Sequence, residues 1–251
     1  MKDTNFSLID KTILVTGATS GIGFEICKQI TNAGGNFVGI GRNTEKLEQY
    51  IDDNDLKLSQ VIKFNLTELE NIHLLVSNLP SNIDGLVHSA GIAHSSPMHF
   101  FNYNDYENMR KINLDCLLVL FSEILKKKKI NRNSSVIFIS SVSAIRGVKG
   151  LGVYAITKAA LDTISKVYAN ELSSKYIRVN TIQPGFVETD MVVEAEKVLT
   201  KEVMDGVRAK YPLGYGEVQD IALPVIFFLS NASKWITGQS IVIDGGRTSF
   251  L

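Results

Sequence analysis

Short runs of apolar, β-branched residues alternate with longer stretches of helical period along the chain. Runs at Thr12–Thr16, Phe37–Ile40, Val61–Phe64, Gly85–His88, Val136–Ser140, Arg178–Ile182 and Ser240–Ile243 read as strands. Periodic segments at Ile22–Ala33, Thr44–Asp53, Glu68–Asn78, Asp105–Lys129, Val153–Ser173 and Val218–Leu229 read as helices. This alternation implies βαβ units and an α/β fold with a mostly parallel sheet of seven strands. Right-handed crossovers place helices on both faces, the doubly wound arrangement, with ligands expected at the carboxyl ends of the strands. No linker, repeat or low-complexity stretch divides residues 1–251, so a single domain is expected. Between Thr189 and Tyr215 the rhythm breaks into amphipathic pieces flanked by Pro184-Gly185 and Pro212-Leu213-Gly214. A lid over residues 190–215 is the functional reading of that insertion, and a surface helix pair the plain one.

Composition narrows the class. With 45% apolar and 21% charged residues, the 251-residue chain matches an ordinary soluble domain, not a disordered one. Lys plus Arg equals Asp plus Glu at 26 each, which argues against nucleic-acid binding. The one dense basic run, Lys126 to Lys129, reads as the solvated end of a helix. Cys27 and Cys116 lack ligand spacing and sit in apolar helical patterns, so buried free thiols and no metal are expected. Met1 to Asp10 carries no apolar signal-peptide core, and no apolar run reaches the roughly 18 residues of a membrane span. A cytoplasmic protein without membrane contact is expected.

The first strand runs into Thr16-Gly17-Ala18-Thr19-Ser20-Gly21-Ile22-Gly23 and a helix follows at once. Glycines let backbone N–H groups approach a pyrophosphate, and the helix N-terminus adds partial positive charge. A glycine-rich turn alone is a weak signal; between a strand and a helix it points to a nucleotide. The second strand ends in Gly41-Arg42-Asn43, with no acid before Glu45 to claim the ribose 2′-OH of NAD. The Arg42 guanidinium suits a 2′-phosphate, so NADP is expected over NAD.

The GxxxGxG spacing resembles the short-chain dehydrogenase/reductase family, a Rossmann-type fold, and the likeness extends along nearly the whole chain. His88-Ser89-Ala90-Gly91 stands where the family usually has Asn-Asn-Ala-Gly, and Pro184-Gly185-Phe186-Val187-Glu188-Thr189 matches its Pro-Gly segment. The resemblance implies cofactor contacts at Gly17, Thr19, Ser20, Gly21, Ile22, Gly23, Arg42, Asn65, Leu66, Ser89, Ala90, Gly91, Tyr154, Lys158, Pro184, Gly185, Val187 and Thr189. Asn65 would accept from the adenine amino group. Thr189 and the Val187 backbone would meet the nicotinamide carboxamide.

The family's catalytic set falls on Asn113, Ser141, Tyr154 and Lys158. Tyr154 and Lys158 are four apart, on one helix face. By resemblance Tyr154 donates the proton and the cofactor a hydride. Lys158 lowers the phenol pKa, ordinarily about 10, and holds the nicotinamide ribose. Ser141 binds the substrate oxygen and stabilises alkoxide charge. Asn113 opens the helix to hold a water that relays protons to the lysine; its plain reading is a buried amide satisfied by backbone. His88, His94 and His99 lack ligand spacing and read as loop or strand-end residues, His94 at the rim of the site.

Within the family the resemblance is nearest the 3-oxoacyl-acyl-carrier-protein reductases, through Pro184 to Met191 and Trp235-Ile236-Thr237-Gly238-Gln239 leading to Asp244-Gly245-Gly246. It implies an acyl carrier protein contact at Arg132 and Lys175, and a homotetramer or homodimer built on the two long helices and the last strand. A sugar, steroid or other small alcohol stays open as substrate. A catalytically silent nucleotide-binding sensor is the reading of another class, which consumption of NADPH with any ketone would exclude.

Overall fold

All seven strand signals form strands, and they lie side by side in one parallel sheet. The computed structural model describes residues 5–189 and 201–249. The strands are β1 (Thr12–Thr16), β2 (Asn36–Gly41), β3 (Gln60–Lys63), β4 (Ile83–His88), β5 (Ile130–Ile139), β6 (Arg178–Pro184) and β7 (Ser240–Ile243). Their spatial order is β3-β2-β1-β4-β5-β6-β7, all parallel. The order reverses between β1 and β4, which opens a crevice at their carboxyl ends.

The helices are α1 (Gly21–Asn32), α2 (Glu45–Asp53), α3 (Ile72–Asn78), α4 (Tyr103–Arg110), α5 (Cys116–Lys126), α6 (Gly152–Glu171), α7 (Lys201–Arg208) and α8 (Val218–Leu229). Strand alternation sorts the apolar residues into two layers. Leu14, Val38, Leu86, Val136 and Phe138 pack against α3, α5 and α6. Ile13, Val15, Phe37, Val87 and Ile137 pack against α1, α2 and α8. Each fully buried side chain of this kind stabilises the fold by about 1.5–3 kcal/mol.

Two elements depart from the expectation. The predicted helix Asp105–Lys129 is broken by a π-helical turn over Lys111–Asp115, which separates α4 from α5. Strand β5 begins at Ile130, six residues before the predicted Val136, because the polar run Asn131 to Ser135 hides its first half. Asn133 there adopts φ +62°, and the register against β4 shifts between Ile83 and Gly85.

The lysine run has more to do than face solvent. Lys127 Nζ donates to His73 O at 2.8 Å and Lys129 Nζ to Leu79 O at 2.6 Å, fastening the end of α3. Both cysteines are free and buried. No helix among the described residues is long and apolar enough to cross a membrane. Of the expected lid, residues 190–200 lie outside the described residues. Its far end is anchored: Gly216 pairs with Val187, and the Tyr215 ring stacks on Phe186 at 5.1 Å.

Candidate active site

The glycine-rich turn is shaped by close approach. Gly17 takes φ +67° and Gly21 φ +49°. A Cβ on Gly17 would lie 2.7 Å from Ala90 N, and one on Gly23 would run into the Gly17 carbonyl oxygen. The turn therefore lies directly on Ser89-Ala90 at the end of β4. Ser20 caps α1 in an extended conformation with no side-chain cap bond, which leaves the first amides of a 12-residue helix open toward the crevice. A Cβ on Gly21 would reach Thr189 Cγ2 at 3.4 Å, so the segment after β6 closes over the same turn. This cradle, crowded for any side chain but open to backbone donors, fits a dinucleotide pyrophosphate.

The remaining expected contacts ring the crevice. Arg42 follows β2, is exposed, and makes no ion pair among the described residues. A Cβ on Gly41 beside it would run into the Thr19 side chain, which would have to turn away to admit a larger residue. Asn65 Oδ1, the oxygen expected to accept from the adenine amino group, is engaged locally, accepting from Thr67 N at 3.3 Å and Thr67 Oγ1 at 3.0 Å, which leaves its NH2 as a donor toward a ligand. Leu66 is buried in the core, which leaves its main chain for that purpose. Gly185 N donates to Ile243 O at 2.9 Å just after Pro184. Val187 is buried, Thr189 half-buried.

Three of the four expected catalytic side chains meet at the carboxyl ends of β4 and β5. Ser141 follows β5 and its Oγ accepts from Ser143 N at 3.1 Å. Lys158 is buried; its Nζ donates to Ile139 O at 2.8 Å and lies 5.7 Å from the Tyr154 ring centroid. Burial pushes the Lys158 ammonium down to about 8, against the opposing pull of Asp162 and Cys116. Burial likewise pushes the Tyr154 phenol up to about 12, and only the Ser141 hydroxyl works the other way. The lowering of the phenol by Lys158 is thus not a property of the chain by itself: Nζ is turned to the Ile139 carbonyl and desolvation dominates.

Asn113 occupies the π turn, fully buried. Its Oδ1 accepts from Ile92 N at 2.8 Å, and its Nδ2 donates to Ile92 O at 2.9 Å and Thr157 Oγ1 at 3.0 Å. The helix is opened there as the resemblance implies, and the amide itself is satisfied by backbone. A Cβ on Gly91 would lie 3.2 Å from Lys158 Nζ and 3.3 Å from Asn113 Oδ1, so this loop, the lysine and the asparagine form one contact.

The burial of His88 and the whole of Asp162 escaped the sequence. His88 is the last residue of β4, at the strand end as expected, but it is fully buried, with Nδ1 2.8 Å from Thr16 Oγ1 and Nε2 without a hydrogen bond. Its position two residues beyond Leu86, on the same strand face, was the available signal. Arg132 reaches the turn that carries Lys175, donating to Ser174 O at 3.2 Å. Arg132 lies before the regular ladder of β5, which begins at Ser135, roughly 20 Å of strand from Ser141.

A glycine cradle at a helix N-terminus, beside buried Lys158 and Ser141 and half-buried Tyr154 at the sheet's carboxyl edge, is the site of a nicotinamide-dependent oxidoreductase. A family model described as Enoyl-(Acyl carrier protein) reductase matches residues 17–248. The chain belongs to the short-chain dehydrogenase/reductase family. It is 35% identical over 241 residues to 3-oxoacyl-[acyl-carrier-protein] reductase FabG of Rickettsia bellii, covering 95% of this chain and 97% of the relative. Among solved structures it resembles a short-chain type dehydrogenase/reductase from Mycobacterium ulcerans, with TM-score 0.87, 27% identity, and 97% and 91% of the two chains covered. It also resembles a gluconate 5-dehydrogenase from Burkholderia cenocepacia in complex with NADP and tartrate, with TM-score 0.88, 25% identity, and 98% of each chain covered.

Proposed function

We propose that the protein reduces a 3-oxoacyl thioester to the 3-hydroxyacyl thioester, with NADPH as hydride donor. The observation that carries this reading is the grouping of Tyr154, Lys158 and Ser141 at the crevice, in a chain whose relatives include 3-oxoacyl-[acyl-carrier-protein] reductases. The bound cofactor supplies the hydride. Ser141 holds the substrate oxygen, Tyr154 delivers the proton to it, and Lys158 holds the nicotinamide ribose and favours phenolate once the proton has left. Asn113 keeps the Gly91-Ile92 loop against Lys158.

The small depression that includes Val153 has a mixed lining: Pro97, Met98, Phe101 and Met109 are apolar, while His94, Asn102 and Asp105 are polar, so it suits a substrate with both an apolar and a polar part and does not by itself choose an acyl chain over a sugar. Arg132, at the start of β5, and Lys175, in the turn after α6, remain the proposed contact for an acyl carrier protein. NADP over NAD rests on Arg42 and on the absence of a carboxylate between the end of β2 and Glu45. The NADP-bound gluconate 5-dehydrogenase supports a second reading, a keto-sugar substrate. Segment 190–215 is the proposed lid, and assembly into dimers or tetramers the proposed oligomeric state.

The test is a panel of acetoacetyl-coenzyme A, longer 3-oxoacyl thioesters, keto-sugars and simple ketones, each mixed with NADPH and followed by loss of its absorbance. Turnover confined to the thioesters is the expected result. Turnover of keto-sugars alone would transfer the assignment to the second reading, and no turnover of any ketone would favour a silent sensor.

A further inference from the structure

We propose that Asp162 is a positioning residue of the active site: its buried, fixed carboxylate holds Lys158 in the ammonium form that the reaction needs. The inference rests on the role given to Lys158 above.

Asp162 follows Lys158 by four residues on α6, so the two share a face of the helix. Both are buried, Lys158 at 4% and Asp162 at 8% exposure. The carboxylate is pinned to β6 at both oxygens. Thr181 Oγ1 donates to Oδ1 at 2.8 Å, and Gln183 Nε2 donates to Oδ2 at 2.6 Å. Thr181 and Gln183 are two apart on the strand and so project to the same face. Both donors are neutral, and no cation lies within ion-pair distance of Asp162 among the described residues. The charge is therefore not cancelled where it sits. A buried, unpaired carboxylate is costly, and packing or hydrogen bonding alone would be served by an amide.

The surroundings of Lys158 single out Asp162. The groups around its ammonium are Tyr154 and Asp162 on α6, Cys116 on α5, His88 on β4 and the Ile139 carbonyl on β5. Burial keeps the Cys116 thiol up at about 12, the Tyr154 phenol at about 12 and the His88 imidazole down at about 3, so all three are neutral near pH 7. Asp115 acts on Cys116 and is paired with Arg110. Of the two groups that oppose the desolvation of the lysine, Asp162 and Cys116, Asp162 is the larger and the only carboxyl group.

The experiment reads the lysine directly, so it does not depend on finding the substrate. Protein carrying [ε-13C]lysine is titrated by NMR, with the Lys158 signal assigned from its loss in Lys158→Met. Asp162→Asn keeps the hydrogen bonds, since its amide oxygen accepts from Thr181 and Gln183 can turn its own amide. The Lys158 midpoint is expected near 8 in the wild type. It should fall by about one pH unit in Asp162→Asn and stay in place in Asp162→Glu, which keeps the charge. Asp162→Ser replaces the asparagine variant if that does not fold, with the same expectation. An unchanged midpoint in the neutral variant, or an equal drop in the glutamate variant, overturns the proposal. Absence of ketone turnover in the wild type would instead count against the reading of the site and leave this titration intact.

Discussion

The Asn113 side chain pairs with both main-chain groups of Ile92, accepting from its N–H at 2.8 Å and donating to its carbonyl at 2.9 Å. One buried amide thereby does for the loop after β4 what a neighbouring strand would do. Replacement by Leu, similar in size, leaves the Ile92 N–H and carbonyl without partners. The expected cost is about 2–3 kcal/mol, read from urea unfolding. Cofactor affinity should fall as well, because Gly91 loses its fixed place beside Lys158. Unaltered stability would show that water satisfies Ile92 equally well.

His88 gives the protein an acid-sensitive core. Its buried imidazole is pushed down to about 3, by desolvation first and the Lys158 charge second. The unfolded chain takes up that proton below about pH 6.5, so between the two values it binds more protons than the native state. Stability therefore falls as pH falls through this window, by roughly 2 kcal/mol at about pH 5. His88→Asn removes the term. Its unfolding free energy should decline less than the wild type's between neutral pH and about pH 5. Parallel declines in both proteins would show that carboxylates alone set the acid sensitivity.

Arg42 is expected to select the cofactor. It is exposed at the end of β2 with no ion pair among the described residues, free to meet a 2′-phosphate. Charge-assisted hydrogen bonds contribute about 1.5–3 kcal/mol each, so one or two imply roughly 10- to 1,000-fold discrimination. Arg42→Ala should raise the KM for NADPH and leave that for NADH nearly unchanged, at fixed ionic strength. Equal effects on both cofactors, or a wild type that prefers NADH, would return Arg42 to an ordinary surface charge. Placing an acid at Gly41 is a poorer test, because the Thr19 side chain fills the space a Cβ needs.

The fold was legible because every strand contains a short run rich in apolar or β-branched residues between clear helical periods, and β1, β7 and α8 match to the residue. The glycines and the Tyr-Lys pair were legible because their chemistry demands fixed spacing. What stayed hidden depends on three-dimensional partners. The break in the long helix is stabilised by Ile92 and Thr157, 21 and 44 residues from Asn113. The first half of β5 is polar because Asn131 bonds Asp84 at 2.7 Å, and no period marks such a strand. The burial of His88 and Asp162 follows from the sheet order, which residue spacing does not contain.

The central claim is that Tyr154 delivers the proton during ketone reduction, and the most direct measurement compares Tyr154→Phe with the wild type on the best ketone of the panel. The ring packing survives the change and only the hydroxyl is lost. The account predicts a fall in kcat of about 10²–10⁴-fold with NADPH affinity, read by fluorescence titration, unchanged. A variant that keeps more than roughly a tenth of wild-type turnover, when a general acid should contribute at least about 10²-fold, would contradict it.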